Sequence, residues 1–241
     1  MITVPYPGGK ARLAKTIVSL LPKYGQRYIE PFAGRGNVFW RVAQECNYQS
    51  YQLNDTRTAP FFDAIKTVGG TISIPERTRE EYYRQWERFK LHDPEAIILE
   101  PYLTFGGGGY GRGGFGNKKG ATASGYQRMM RSSADILNRL DVKITALDWE
   151  ALTFECTDVV YFDPPYKAAD VRAYNAIGIN YEKLARQLAD AKFKWVLSEY
   201  PDPLYLNILG TPRYTRDVQL VVTNFAHWEQ ERRFECLWSN I

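Results

Sequence analysis

Four apolar residues, Val159 to Phe162, run directly into Asp163-Pro164-Pro165-Tyr166. A β-strand needs backbone donors, and two successive prolines remove two of them while holding φ at about −65°. The strand must end there. Beyond its end lies a rigid corner that carries a carboxylate, carbonyls with no neighbouring N–H to pair with, and an aromatic ring. Other short apolar stretches alternate with segments of helical period on either side of it, the pattern of an α/β sheet with helices on both faces. The expected strands are Tyr28-Ile29, Tyr51 to Leu53, Val142 to Ala146, Val159 to Phe162 and Trp195 to Ser198, with a late antiparallel pair at Gln219 to Thr223 and Phe234 to Trp238. Helices are expected over Lys10 to Leu21, Val38 to Glu45, Ala59 to Val68, Arg79 to Lys90, Gln127 to Arg139 and Tyr181 to Ala191.

The 241 residues, 44% hydrophobic and 24% charged, suffice for one large domain or a domain with a sizeable insertion. A net charge of +4 permits an anionic partner without establishing one. Cys46, Cys156 and Cys236 lie far apart, and with His92 and His227 they form no zinc spacing and no disulfide framework, so neither a metal nor an oxidising compartment is expected. The N-terminal stretch lacks the apolar core of a signal peptide, and no run approaches the roughly 18 apolar residues of a membrane helix. A cytoplasmic protein with no membrane partner is the expectation.

One region departs from the alternation. Residues 106–120, GGGGYGRGGFGNKKG, hold too much glycine for a packed strand or helix and read as a loop or irregular hairpin. From Pro101 to Ala134 there is no acidic residue, whereas Arg112, Lys118, Lys119, Arg128 and Arg131 are interleaved with Tyr102, Phe105, Tyr110, Phe115 and Tyr126. Cations and rings on a glycine-rich loop suit phosphates and bases; a plain solvated connection is the alternative.

Three motifs carry chemistry. In YIEPFAGRGNVFW, a short strand enters a loop with Gly34 and Gly36 and then a helix, so backbone can approach a ligand closely at the carboxyl edge of the sheet. The alternative is a tight turn. No third glycine completes a dinucleotide fingerprint. About twenty residues on, YQLND ends a second strand at Asp55, whose carboxylate can accept from ribose hydroxyls or cap a helix. At the N-terminus, VPYPGGKARLAK is no phosphate loop, because the first glycine and the hydroxyl residue are missing; it presents Tyr6 and Lys10 either to a small molecule or merely at a helix entry. The third motif is the corner itself. Against an exocyclic amine, the Asp163 carboxylate and the Pro164 carbonyl can both accept amine hydrogens and orient the nitrogen lone pair, while Tyr166 offers a stacking face.

The order PYPGGK, EPFAGRG, LND, basic insertion and YFDPPY resembles the Dam-type (D12 class) adenine-specific DNA methyltransferases. The resemblance implies a Rossmann-like methyltransferase sheet built from 1–69 and 135–241, with 70–134 inserted as a DNA target-recognition segment. It implies S-adenosylmethionine as cofactor and sequence-specific methylation of N6 of a flipped adenine. It places Tyr6, Lys10, Phe32, Gly34, Gly36, Asp55, Asp148 and Asp163 against the cofactor. Asp163, Pro164, Pro165 and Tyr166 face the reacting base, and Arg112, Lys118, Lys119 and Arg128 face the nucleic acid. Double-stranded DNA is the implied partner, with room for a cognate restriction endonuclease in a prokaryotic cell or phage-infected host. Two departures stand out: Thr56-Arg57-Thr58 follows the ribose acid where the family usually has Asn, and the insertion keeps only Arg112, Gly114, Phe115 and Asn117 of the family's recognition hairpin. Target sequence is therefore not transferable. A cytosine-carbon methyltransferase would need a cysteine nucleophile, commonly after proline, and each cysteine here follows glutamate. The remaining alternatives are an amine methyltransferase for RNA or a protein amide, and a nucleic-acid-binding relative without catalysis.

Overall fold

The computed structural model describes residues 2–111, 114–116, 122–167, 178–224 and 227–241, with the backbone alone for 218–224 and 227–233. The expected DNA contacts Arg112, Lys118 and Lys119 lie outside the described residues. The chain divides into two compact units, Met1–Leu152 and Thr153–Ile241.

In the first unit, strands β1 (Tyr24–Glu30), β2 (Asn47–Asn54) and β3 (Val142–Thr145) lie parallel in the order β3-β2-β1. Parallel neighbours need crossovers. Helix α2 (Phe39–Glu45) provides the first, and a long helical excursion provides the second. Tyr28, Phe39, Trp40, Tyr51 and Phe62 are buried to 2% exposure or less and meet through ring contacts. Helix α1 (Ala14–Leu20) starts later than the pattern implied, because Leu13 and Ala14 both donate to the Lys10 carbonyl in a tight turn ahead of it.

The excursion between β2 and β3 begins with α3 (Ala59–Val68) and continues through α4 (Arg79–Lys90), α5 (Pro94–Leu103) and α6 (Ala123–Arg139). Local sequence explains each start. Thr78 accepts from Glu81 N at 3.0 Å with Glu80 and Glu81 in the first turn; Asp93 accepts from Glu95 and Ala96 N; Thr122 accepts from Gly125 N. Helix α5 has no counterpart in the periodicity because residues 96–103 are buried all round, leaving no polar face, and because Pro101 stands inside it. Both α5 and α6 pack on α3.

In the second unit, β4 (Asp158–Phe162) and β5 (Lys194–Glu199) are parallel, and the long strands β6 (Tyr214–Asn224) and β7 (His227–Ser239) form the expected antiparallel pair, in the order β4-β5-β7-β6. Helix α7 (Tyr181–Ala189) is capped by Asn180 and buries Leu184, Ala185 and Leu188. Helix α8 (Pro203–Leu209), capped by Asp202 with Pro203 at its first position, is not among the helices expected from the sequence. Helix-linked parallel strands with a terminal antiparallel pair make this a Rossmann-like α/β fold. Among the described residues no helix is long and apolar enough to cross a membrane, and no group of three metal-ligating side chains forms.

Candidate active site

The first unit carries the glycine loop that follows β1. Gly34 (φ +53°) and Gly36 (φ +70°) take left-handed backbone that a side chain would strain. Neither has room for one. A Cβ at Gly34 would lie 3.1 Å from the Tyr6 ring, and one at Gly36 would lie 3.0 Å from Phe62 and 3.2 Å from Trp40 Nε1. Tyr6, expected to present its ring to a ligand, thus lies over Gly34 and is itself half-buried. Asn37 fastens the N-terminal segment to this loop, accepting from Val4 N at 3.1 Å and donating to Val4 O at 3.2 Å. Lys10 is buried, and its ammonium donates to the Gly8 carbonyl at 2.7 Å.

Asp55 joins the loop to α3. Its Oδ2 accepts from Gly34 N at 3.0 Å, while Oδ1 accepts from Arg57 N at 2.8 Å and Thr58 N at 2.9 Å. The capping alternative is therefore real, and it coexists with the loop contact. Each carboxylate oxygen has about two acceptor directions, so Oδ2 keeps one for a further donor. Phe32 is half-buried with its ring 6.3 Å from that of Trp149, directly after Asp148. Asp148 is exposed, and its side chain accepts from Glu150 N at 2.9 Å at the head of a short 3-10 turn. Arg128 lies exposed on α6.

Three residues of this half-site were given no role in the sequence, although Asn54 and Arg35 lie inside the motifs. Asn54 binds the ends of all three strands: Nδ2 donates to the carbonyls of Pro31 and Leu147, and Oδ1 accepts from Thr145 Oγ1 and Leu147 N. Arg35, between the two glycines, is buried, lies 4.2 Å above the Phe61 ring and is ion-paired with Glu100 of α5. A lone acid in the apolar stretch AIILEPYL was the available signal, since a buried charge requires a partner.

The second unit carries the corner. All five residues of β4 are buried, and Asp163 follows with Oδ1 shielded from solvent. Backbone contacts hold the turn: Tyr181 Oη donates to the Pro165 carbonyl at 2.8 Å, and Lys167 N donates to Glu199 Oε2 at 3.2 Å. Glu199, buried at the end of β5, also accepts from Tyr200 N at 2.8 Å. Tyr166 donates its hydroxyl to Glu235 Oε1 at 2.6 Å, and its ring meets that of Tyr200 edge-to-face at 4.5 Å. Burial, with the negative charges of Asp163 and Glu235 after it, raises the Tyr166 pKa well above its usual 10, so the hydroxyl stays protonated. Glu199, Tyr200 and Glu235 were not legible as site residues: an acid closing an apolar strand hints at Glu199, and nothing in the sequence marks Glu235.

Residues 6–105 match the family model of the D12 class N6 adenine-specific DNA methyltransferases. The matched stretch carries Tyr6, Lys10, Phe32, Gly34, Gly36 and Asp55, and the corner at Asp163 lies beyond it. Among solved structures the chain is similar to SMU.472, titled "a putative methyltransferase complexed with SAH", at 10% identity and a TM-score of 0.38, covering 97% of this chain and 54% of that one. The chain thus spans about half the length of that protein. No curated protein matches it.

Proposed function

We propose that the protein is a site-specific DNA methyltransferase that transfers a methyl group from S-adenosylmethionine to the exocyclic N6 amine of an adenine flipped out of the duplex. The observation that carries this reading is the corner after β4, where the Asp163 carboxylate stands beside a ring whose hydroxyl is already engaged. Such a corner is suited to a planar amine. Asp163 and the Pro164 carbonyl accept the two amine hydrogens and thereby aim the nitrogen lone pair; the face of Tyr166 stacks on the base, worth roughly 1 to 3 kcal/mol. No strong general base is needed, because catalysis here is orientation and electrostatics. The family match over residues 6–105 supports adenine as the base and DNA as the polymer.

S-adenosylmethionine is the methyl donor, and when bound it supplies an electrophilic methyl group on a positively charged sulfur. The residues present fit such a ligand. Gly34 and Gly36 hold the loop after β1 in a left-handed backbone that admits no larger residue, and Asp55 Oδ2 keeps an acceptor direction for a ribose hydroxyl. Tyr6, Lys10, Phe32 and Asp148 complete the set that would hold it. Residues 70–134 serve as the target-recognition segment, with Arg112, Lys118, Lys119 and Arg128 on phosphates or base edges. The reaction belongs in the cytoplasm of a prokaryotic cell or phage-infected host, where such DNA is found.

Incubation of the purified protein with methyl-labelled S-adenosylmethionine and genomic DNA, followed by nucleoside analysis and mapping, tests the reading. Label in N6-methyladenine at a recurrent sequence is expected. Label in RNA or protein instead, or in no acceptor, would overturn it.

A further inference from the structure

We propose that Glu235 is a positioning residue for Tyr166: its carboxylate fixes the axis of the ring and so the face offered to the base. The proposal rests on the reading of the corner as the amine site given above. Three hydrogen bonds hold the turn and its neighbour Tyr200 without help from Glu235: Tyr181 Oη to the Pro165 carbonyl, Lys167 N to Glu199, and Tyr200 N to Glu199. They leave the ring undetermined. A phenol oxygen lies on the Cβ–Cζ axis, so a hydrogen bond to it fixes the direction of that axis but not rotation about it. Glu235 supplies the first constraint at 2.6 Å, a length typical of a hydroxyl donating to a carboxylate. Tyr200, edge-to-face at 4.5 Å and 78°, supplies the second.

The sheet delivers Glu235 to this place. Register pairs Cys236 with Glu199 of β5 and with Thr215 of β6, and Cys236 is buried on its face of the sheet. Glu235, one residue earlier, therefore points to the opposite face. Arg216 stands across from it on β6.

Activity and spectroscopy together test the assignment, using wild type, Glu235→Leu, Glu235→Gln, Tyr166→Phe and the Glu235→Leu/Tyr166→Phe double variant. In steady-state kinetics Glu235→Leu should lower kcat about tenfold or more, the scale of a lost charge-assisted hydrogen bond, while calorimetric affinity for S-adenosylmethionine is unchanged. Glu235→Gln keeps an acceptor and should recover most of the loss. Tyr166→Phe should fall as far as Glu235→Leu, and the double variant no further, because each removes the same bond. Wild-type kcat in Glu235→Leu, or losses that add in the double variant, would overturn the positioning role while leaving the methylation reading standing. Proton NMR supplies a readout independent of any acceptor. A slowly exchanging tyrosine hydroxyl signal should be present in wild type and Glu235→Gln and absent from Tyr166→Phe and Glu235→Leu. If it survives Glu235→Leu, the proposal fails whatever the enzyme methylates; if wild type methylates no adenine, the functional reading fails whatever this signal does.

Discussion

The glycine loop of the first unit and the prolyl corner of the second both shape backbone at the carboxyl end of a strand, by opposite means. The loop relies on missing side chains: left-handed φ at Gly34 and Gly36 is free of strain, and Tyr6, Phe62 and Trp40 close over the space a Cβ would take. The corner relies on proline rings that remove freedom, and then on acids from other strands to set its turn and its aromatic ring. Local residue type sets the backbone of the loop, and Asp55, 21 positions on, ties Gly34 N in place. Orientation of the Tyr166 ring depends on a residue 69 positions away. Damage at the loop should thus appear first in cofactor affinity and stability, and damage at the corner in turnover.

The sharpest break in that contrast is Asp163→Ala. Losing one of two acceptors that aim the amine should lower kcat by about two to three orders of magnitude, as for other preorganised hydrogen-bonding groups, with DNA affinity in a binding titration nearly unchanged. An equal loss of DNA affinity would make the corner a binding element rather than an orienting one. Gly34→Val and Asp55→Ala come next. Valine would combine strained φ with a collision at Tyr6, and alanine would release Gly34 N together with the start of α3. Calorimetry should show S-adenosylmethionine affinity falling at least about tenfold in both variants, and thermal unfolding should show a cost of about 1 kcal/mol for the lost cap in Asp55→Ala. Wild-type affinity in both would separate the loop from the cofactor.

The smallest effect is common to both regions. Burial raises the pKa of Tyr48, Tyr110 and Tyr126 in the first unit and of Tyr166 and Tyr205 in the second. A folded pKa above the unfolded value of about 10 means that the native state holds its protons longer, so this stabilisation is complete below about pH 10 and is lost as pH rises beyond it. The melting temperature should therefore stay level to about pH 9.5 and fall above pH 10, with the tyrosinate absorbance of these five phenols, assigned by difference from their Phe variants, appearing together with unfolding. Ionisation of these five well before unfolding would contradict their burial.

The alternation of strands and helices was legible because period and capping residues are local. Thr78 and Glu81 mark the start of α4 in the chain itself, and the two prolines end β4 wherever it packs. Helix α5 was not legible, since burial on every side erases the amphipathic period from which helices are read. The paired functions of Asp55 show the same limit. Its place after a strand pointed to a cap or a ribose contact; folding gave one oxygen to the turn ahead of α3 and the other to Gly34 N, a bond that no local pattern shows.

By itself the sequence determined the α/β class, the sites where glycine or proline controls the backbone, and the acids and rings set beside them, because these depend on single residues and short spacings. Tertiary structure decided which polar groups meet: Arg35 with Glu100, Asn54 across three strand ends, and Glu235 with Tyr166. Those pairings depend on strand register and helix packing, which join residues far apart in the chain, and a buried polar group is stable only beside the partner that this packing brings to it.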